Sequence, residues 1–355
     1  MATIRRRPSG SYQAQISING VRRAKSFKRR SDARHWAATI ESDLKSGVPT
    51  EARKPTREFL IQYRQEVTER RAHPRHMRAV IGCFLEDPIA DIPIIDVTSK
   101  DVEAWIERRR TIPSRSTGHI VEESTIARQL QTLSAFFSWA VRLNYCAENP
   151  CFKVERPRSN PPRERVASDA DLEAIQYVAG WTEGTVPQNK LQRVAAAFLL
   201  SCLTGMRAGE MMRIERSWIH DRTLVLPAEA TKTATSREIA LCDRAKRILD
   251  DVCSLGFEPA IWNLTDASRD ALWRRIRDKA GLTDQYDKQG RLIEQGLTFH
   301  DGRATFATWA ASPGPDGAPR LDVMSLARQT GHKDLRMLMR YYRPNIESFA
   351  KRLNG

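Results

Sequence analysis

A chain of 355 residues is long enough for about two to three domains. With 41% hydrophobic and 28% charged residues, its composition excludes a disordered chain and a membrane protein. Its 58 Lys and Arg outnumber 43 Asp and Glu, a formal charge of +15; such an excess faces phosphate, as nucleic acid or an anionic membrane surface, or serves solubility alone.

The longest apolar run, 194–206, is interrupted by Ser201 and Thr204 and falls short of the roughly 20 residues that span a bilayer. The start, Met1-Ala-Thr-Ile-Arg-Arg-Arg-Pro, lacks the apolar core of a secretory signal. Six cysteines, at 83, 146, 151, 202, 242 and 253, form no Cys-x-x-Cys pair and have no histidine at zinc-ligand spacing, so they read as reduced, mostly buried thiols of a cytosolic protein.

The first 30 residues hold nine Lys/Arg and no acid. Residues 11–18 alternate and are rich in strand formers, Asn19-Gly20 is a strong hairpin signal, and a second strand follows over 21–27. From Ser31, an N-cap, Ala33, Trp36, Ala37 and Ile40 recur at helical spacing and Gly47 ends the helix. The expectation is a basic three-stranded sheet with one helix behind it over residues 1–48, Trp36 joining them in the core. Arg5, Arg6, Arg7, Arg22, Arg23 and Lys25 are its candidate DNA contacts, since a β-sheet can enter a groove.

Residues 46–56 read as a linker. Over 57–153 the apolar spacing of Phe59-Leu60-Tyr63, Val102-Trp105-Ile106 and Ile126-Leu130-Leu133-Phe137-Ala140-Val141 predicts a helical bundle, with Asp96 to Thr98 capping a helix and Asn149-Pro150 ending the last. Glu107-Arg-Arg-Arg110 and Arg128 suit a DNA backbone, or a merely solvated face. The Pro-rich basic stretch 154–165 reads as an extended linker able to track phosphates. From Ser168 onward the pattern is mostly helical, interrupted by a hairpin of 223–226 and 237–241. The fold class expected is therefore mainly α with small β elements.

Four pieces of the last domain, 166–355, carry chemistry. Leu203-Thr-Gly-Met-Arg207-Ala-Gly-Glu210 breaks one helix and starts another. Lys232 sits at the hairpin tip, and His300 and Arg303 are three apart. Thr330-Gly-His332 precedes Arg340-Tyr341-Tyr342-Arg343-Pro344. Each alone is weak. The ordered set Arg…Lys…His-x-x-Arg…Gly-His…Tyr resembles the catalytic domain of the tyrosine recombinases, the phage integrase family. The basic N-terminal module resembles its arm-type DNA-binding domain, and 57–153 its core-binding domain.

That resemblance implies metal-free and ATP-free DNA cleavage and rejoining, with no cofactor. Arg207 and Arg303 would neutralise the equatorial oxygens of a phosphodiester, with His332 donating a hydrogen bond. Tyr341 would attack, His300 would assist its deprotonation, and Lys232 would protonate the leaving 5′ oxygen. The spacing from His332 favours Tyr341 over Tyr342. Glu210 either braces Arg207 or lies on a plain helix surface.

Also implied are a 3′-phosphotyrosyl link, a homo-tetramer on double-stranded attachment sites, and DNA-bending accessory proteins or an excisionase. The location implied is cytoplasmic and nucleoid-associated, the role integration or excision of a mobile element. The apolar face of Ile346, Phe349, Ala350 and Leu353 would dock on a neighbouring subunit or on its own domain. Many relatives read His-x-Leu-Arg-His; Gly302 and Ala304 stand here instead, and altered packing is expected. The stretch 312–319 reads as a surface loop lengthening the link between two catalytic helices. Competing readings are a type IB topoisomerase and a catalytically silent DNA-binding regulator; a metal-dependent nuclease lacks a carboxylate cluster.

Overall fold

The computed structural model describes residues 2–18, 21–46, 50–71, 74–113, 118, 120–158, 163–231, 235–288, 292–315 and 317–342. Among them no helix is long and apolar enough to cross a membrane. The chain divides into two compact units, Met1–Pro161 and Pro162–Gly355, together containing seven strands and thirteen α-helices among the described residues. The expected class, mainly helical with small β elements, is what the structure has.

In the first unit, β1 (Ala2–Arg6), β2 (Tyr12–Ile18) and β3 (Val21–Phe27) form an antiparallel sheet in that order. Helix α1 (Arg30–Ser46) lies on one face, where Ala14 and Ile16 of β2 meet Ala33, Ala37 and Ile40. The small alanines let helix and sheet approach closely. Trp36, expected in this core, is only half-buried; it leans on Phe27 at the margin, ring centroids 5.7 Å apart.

Register sorts the cations of this sheet, because directly opposed residues share a face. Arg5 pairs with Gln13 and Arg22 with Ser17, on the face away from α1. Arg6, Arg23 and Lys25 oppose Tyr12, Ile16 and Ala14, on the face of the helix. The candidate contacts thus do not form one surface.

The second core of this unit gathers α2 (Thr56–Tyr63), α3 (Pro74–Leu85), α4 (Ser99–Thr111) and α5 (Glu123–Arg142) around Trp105, Phe84, Tyr63, Phe136 and Phe137. Thr98 and Asp101 close a capping box at the start of α4, as the sequence led one to expect. Two expectations are corrected. The linker is shorter than 46–56, because Thr50–Arg53 forms a 3₁₀ turn that buries Ala52 in this core. The arginines of 107–110 are occupied within the chain: Arg108 binds Asp87 at 2.9 and 2.6 Å, Arg109 binds Gln129 at 3.1 Å, and Arg110 binds Glu123 at 2.7 and 3.0 Å. Arg128 is exposed.

The second unit is built around α7 (Lys190–Thr204), which follows α6 (Asp169–Ala179). Its run Val194 to Leu200 is buried all round, as a helix apolar on every side must be. After α8 (Ala208–Met211) come the hairpin β4 (Thr223–Leu226) and β5 (Arg237–Ala240), then α9 (Asp243–Cys253) and α10 (Asp266–Lys279). A small hairpin, β6 (Gln285–Tyr286) and β7 (Leu292–Glu294), precedes α11 (Asp301–Ala311), α12 (Val323–Thr330) and α13 (Arg336–Met339).

Ser168 and Asp171 form a capping box on α6. Arg163 and Arg165 of the connector are tied into this unit, whereas Arg156 and Arg158 are exposed. Arg163 donates to the Gly296 carbonyl and to Asp301, and Arg165 binds Asp171 at 3.0 Å. Part of the surface loop 312–319 is pinned by Arg320, which donates to the Pro313 carbonyl at 2.8 Å and lies over Trp309. All six cysteines are free, four of them buried.

Candidate active site

Two helix ends meet at the site. Helices α7 and α12 each end in a left-handed glycine, Gly205 (φ 67°) and Gly331 (φ 69°), a conformation only glycine adopts without strain. Each also lies where a side chain has no room. A Cβ on Gly205 would come within 2.6 Å of the Phe306 ring and 2.9 Å of Thr330 Cγ2; one on Gly331 would meet Arg237 Nη1. Gln329 fixes the ends together, donating to the carbonyls of Thr204 (3.2 Å) and Ala240 (3.1 Å) and accepting from the Ala240 amide at 2.9 Å.

The two catalytic arginine candidates clamp consecutive carbonyls of this turn. Arg303, on α11 and only 4% exposed, donates from Nη1 to the carbonyls of Gly205 at 2.7 Å and Thr330 at 2.6 Å. Arg207, the N-cap of α8, donates from Nη2 to the Gly331 carbonyl at 2.8 Å. Buried carbonyls are satisfied and both guanidiniums are held in place, because the planar fork reaches two acceptors at once.

Glu210, 3% exposed, holds the arrangement. One oxygen accepts from Arg207 Nη1 at 2.9 Å and the other from Arg237 Nη2 at 2.8 Å; it also caps the Arg207 amide at 3.1 Å. Of the two roles open for Glu210, the brace is the one the geometry has. Glu210 binds two guanidiniums, and with Arg303 close enough to feel their charge the cluster keeps surplus positive charge. Burial first, then repulsion from Arg207 and Arg237, pushes the Arg303 pKa down to about 9, so the group is still cationic at neutral pH.

His332 contacts Arg303 Nη2 through Nε2 at 3.1 Å and Thr330 Oγ1 through Nδ1 at 2.7 Å. Burial and the guanidiniums of Arg303, Arg207, Arg340 and Arg237 push its pKa down to about 3, so the ring is neutral. The same Arg303 Nη2 is also 3.3 Å from Nδ1, so the guanidinium lies against both ring nitrogens. His300, the N-cap of α11, has an exposed ring; the protein packed near it and then Arg303 lower its pKa, so it too is neutral and able to take a proton. No hydrogen bond joins it to Tyr341 among the described residues.

The tyrosines differ sharply. Tyr341 is half-buried beside Phe306 and Leu338. Its hydroxyl accepts from Arg340 Nη2 at 2.5 Å, the Arg340 guanidinium lies 4.7 Å over its ring, and it lies within electrostatic reach of Arg303. Tyr342 donates its hydroxyl to the Leu321 carbonyl, and burial raises its pKa. Lys232 and residues 345–355, with the apolar face expected there, lie outside the described residues.

Sequence reasoning missed Arg237, Arg340 and Thr330. Arg237 had a signal: on β5 it alternates with buried Ile239 while Glu238 and Ala240 are exposed, so it points inward. At Gly302 a Cβ would lie 3.0 Å from Ser201 Cβ and 3.2 Å from Phe198. The glycine lets α11 sit close on α7.

The chain matches the phage integrase family over residues 183–348. It is 29% identical over 352 residues to a putative integrase/recombinase of Haemophilus influenzae, covering 97% of this chain and 88% of the relative. A lambda integrase dimer bound to a COC' core site is similar in structure, with TM-score 0.62, 19% identity, and 96% and 94% of the two chains covered. So is a lambda integrase tetramer bound to a Holliday junction, with TM-score 0.62, 17% identity, and 93% and 95% covered.

Proposed function

We propose that the chain, which matches the phage integrase family over residues 183–348, is a tyrosine recombinase that cuts and rejoins DNA at specific sites through a 3′-phosphotyrosyl link on Tyr341. The carrying observation is the paired clamp of Arg207 and Arg303 on the 330–331 carbonyls, with three guanidiniums against one carboxylate. Such a cluster is fixed before substrate arrives and suits the crowded, negatively charged phosphorane of an in-line displacement.

In this reading the Tyr341 oxygen attacks the scissile phosphorus. Its proton passes toward neutral His300, and the 5′ oxygen departs with a proton from Lys232. Bond energy kept in the phosphotyrosyl ester lets the 5′ hydroxyl of another strand attack and release Tyr341, with no ATP. Tyr341 is favoured over Tyr342 because the latter's hydroxyl is engaged by Leu321 and its pKa is raised.

Three modules serve this reaction: 1–48 as an arm-type DNA-binding domain, 57–153 as a core-binding domain, and 166–355 as the catalytic domain. The partner is double-stranded DNA, bound by a homo-tetramer, as the lambda tetramer on a Holliday junction supports. Integration or excision of a mobile element is the role this implies, with DNA-bending proteins or an excisionase as helpers. The N-terminal sheet favours a recombinase over a type IB topoisomerase, because a second DNA-binding module bridges two sites.

The test is a covalent adduct with attachment-site DNA in the absence of magnesium. An adduct in the wild type and none in Tyr341→Phe is expected. An adduct that persists in Tyr341→Phe and vanishes in Tyr342→Phe overturns the nucleophile assignment; none in the wild type overturns the reaction.

A further inference from the structure

The Thr330 hydroxyl has one proton, and its position fixes where that proton goes. Thr330 Oγ1 lies 2.6 Å from the Leu326 carbonyl, one turn back along α12, an acceptor only. The hydroxyl proton is therefore spent there, and the contact of 2.7 Å to His332 Nδ1 must be Nδ1–H donating to the threonine oxygen. Arg303 Nη2, 3.3 Å from Nδ1 and 3.1 Å from Nε2, lies against both ring nitrogens and does not choose between them. The threonine contact thus fixes the tautomer of the neutral ring, with Nδ1 protonated and Nε2 bare.

We propose that Thr330 is a positioning residue: by accepting the Nδ1 proton it holds His332 with Nε2 bare, so that this ring donates to a phosphate oxygen only after taking up a proton. The inference deepens the recombinase reading in its consequence and rests on that reading there; the tautomer itself does not.

The groups facing the ring are cations from four elements, Arg303 on α11, Arg207 before α8, Arg237 on β5 and Arg340 after α13, with Glu210 bound to two of them. In the free protein they oppose a charged imidazole. A phosphodiester seated among the same guanidiniums supplies the missing negative charge and reverses that balance, so proton uptake at Nε2 accompanies substrate binding.

The experiment uses the full-length ¹⁵N-labelled chain without DNA and reads the His332 ring by long-range ¹H–¹⁵N correlation, with His332→Asn identifying its signals. Protonated Nδ1 and bare Nε2 are expected in the wild type and in Thr330→Ser, and a shift toward protonated Nε2 in the isosteric Thr330→Val. A wild-type ring protonated at Nε2, or a Thr330→Val spectrum unchanged from wild type, overturns the proposal. With attachment-site DNA, Thr330→Val slows adduct formation by about tenfold and Thr330→Ser restores it, the loss of one buried hydrogen bond to the ring. Because the spectrum is taken without DNA, failure of the wild type to form an adduct counts against the recombinase reading and not against the tautomer.

Discussion

Removing the charge of Glu210 without changing its shape isolates what holds the arginine cluster. Glu210→Gln keeps one accepting oxygen and replaces the other with an NH2 group, a donor that finds no acceptor among the guanidinium N–H groups. The carboxylate is 3% exposed, and the side chains it binds, Arg237 and Arg207, are 10% and 23% exposed. Breaking a buried ion pair from one side costs about 3–5 kcal/mol, because the remaining charge is stranded. Two features pull in opposite directions here. Arg207 is partly solvated, which lowers the figure, whereas Arg237, Arg207 and Arg303 are left with no anion among them, which raises it. A loss of about 4 kcal/mol follows, and for a unit of this size that lowers Tm by roughly 8–16 °C. The assay is thermal unfolding of the full chain followed by circular dichroism, with Arg237→Met and the double variant completing a cycle. A coupling of about 1–3 kcal/mol between the two sites is expected of residues in contact. A Glu210→Gln protein that melts within a degree or two of the wild type would show that the carboxylate is not what restrains the guanidiniums.

Arg303→Lys keeps the charge but offers no fork, so it cannot hold Gly205, Thr330 and His332 together; adduct formation falls by about 10²–10³ while DNA affinity changes little, and equal loss of both in a gel-shift and adduct comparison contradicts this. His332 makes stability depend on pH with a definite sign. Its folded pKa of about 3 lies below the unfolded value near 6.5, so between these the unfolded chain binds the extra proton and stability falls as pH falls. Discounted for partial exposure, the loss is about 1 kcal/mol at pH 5, and His332→Asn flattens the urea-midpoint profile from pH 7 to 4.5; an unchanged slope refutes it. On the N-terminal sheet, Arg5→Ala and Arg22→Ala each reduce the salt slope of DNA binding by about 0.9 if the face away from α1 meets phosphate. Lys25→Ala, on the other face, leaves the slope as it was.

The order of residue types along the chain was enough to single out Arg207, Arg303 and His332, which the structure brings together. What holds them was harder to read. Arg237 and Glu210 pair across 27 positions and Arg303 meets Gly205 across 98, and no local pattern specifies such closures. The paired strands 12–18 and 21–27 and the Thr98 cap were legible because alternation and cap chemistry are local. Trp36 was misjudged for the opposite reason: helical spacing gives a face, but Ala33, Ala37 and Ile40 already fill the narrow contact with the sheet and leave the indole at its rim. The run 107–110 looked like free charge because its acidic partners, Asp87 and Glu123, lie on other elements.

Gly302 shows how a departure from the family pattern is paid for in packing. In the first turn of α11 an alanine would favour the helix by about 1 kcal/mol over glycine. Against that, its Cβ would sit 3.0 Å from both Ser201 Cβ and Oγ and 3.2 Å from Phe198. Ser201 is fixed on α7, and Phe198 is stacked on Trp273 with centroids 4.3 Å apart and edge-on to Phe299 at 5.7 Å, so neither side can give without disturbing the core. Overpacking of this kind costs about 1–3 kcal/mol, and the steric term wins: Gly302→Ala is expected to lose about 1 kcal/mol in denaturant unfolding. Gly302→Leu is expected to lose more, because the longer side chain needs still more room between the two helices. The displaced α11 carries Arg303 with it, so the leucine variant also slows adduct formation. An alanine variant more stable than the wild type would mean that α7 and α11 can separate freely at this point, and the close approach would then have no hold on the position of Arg303.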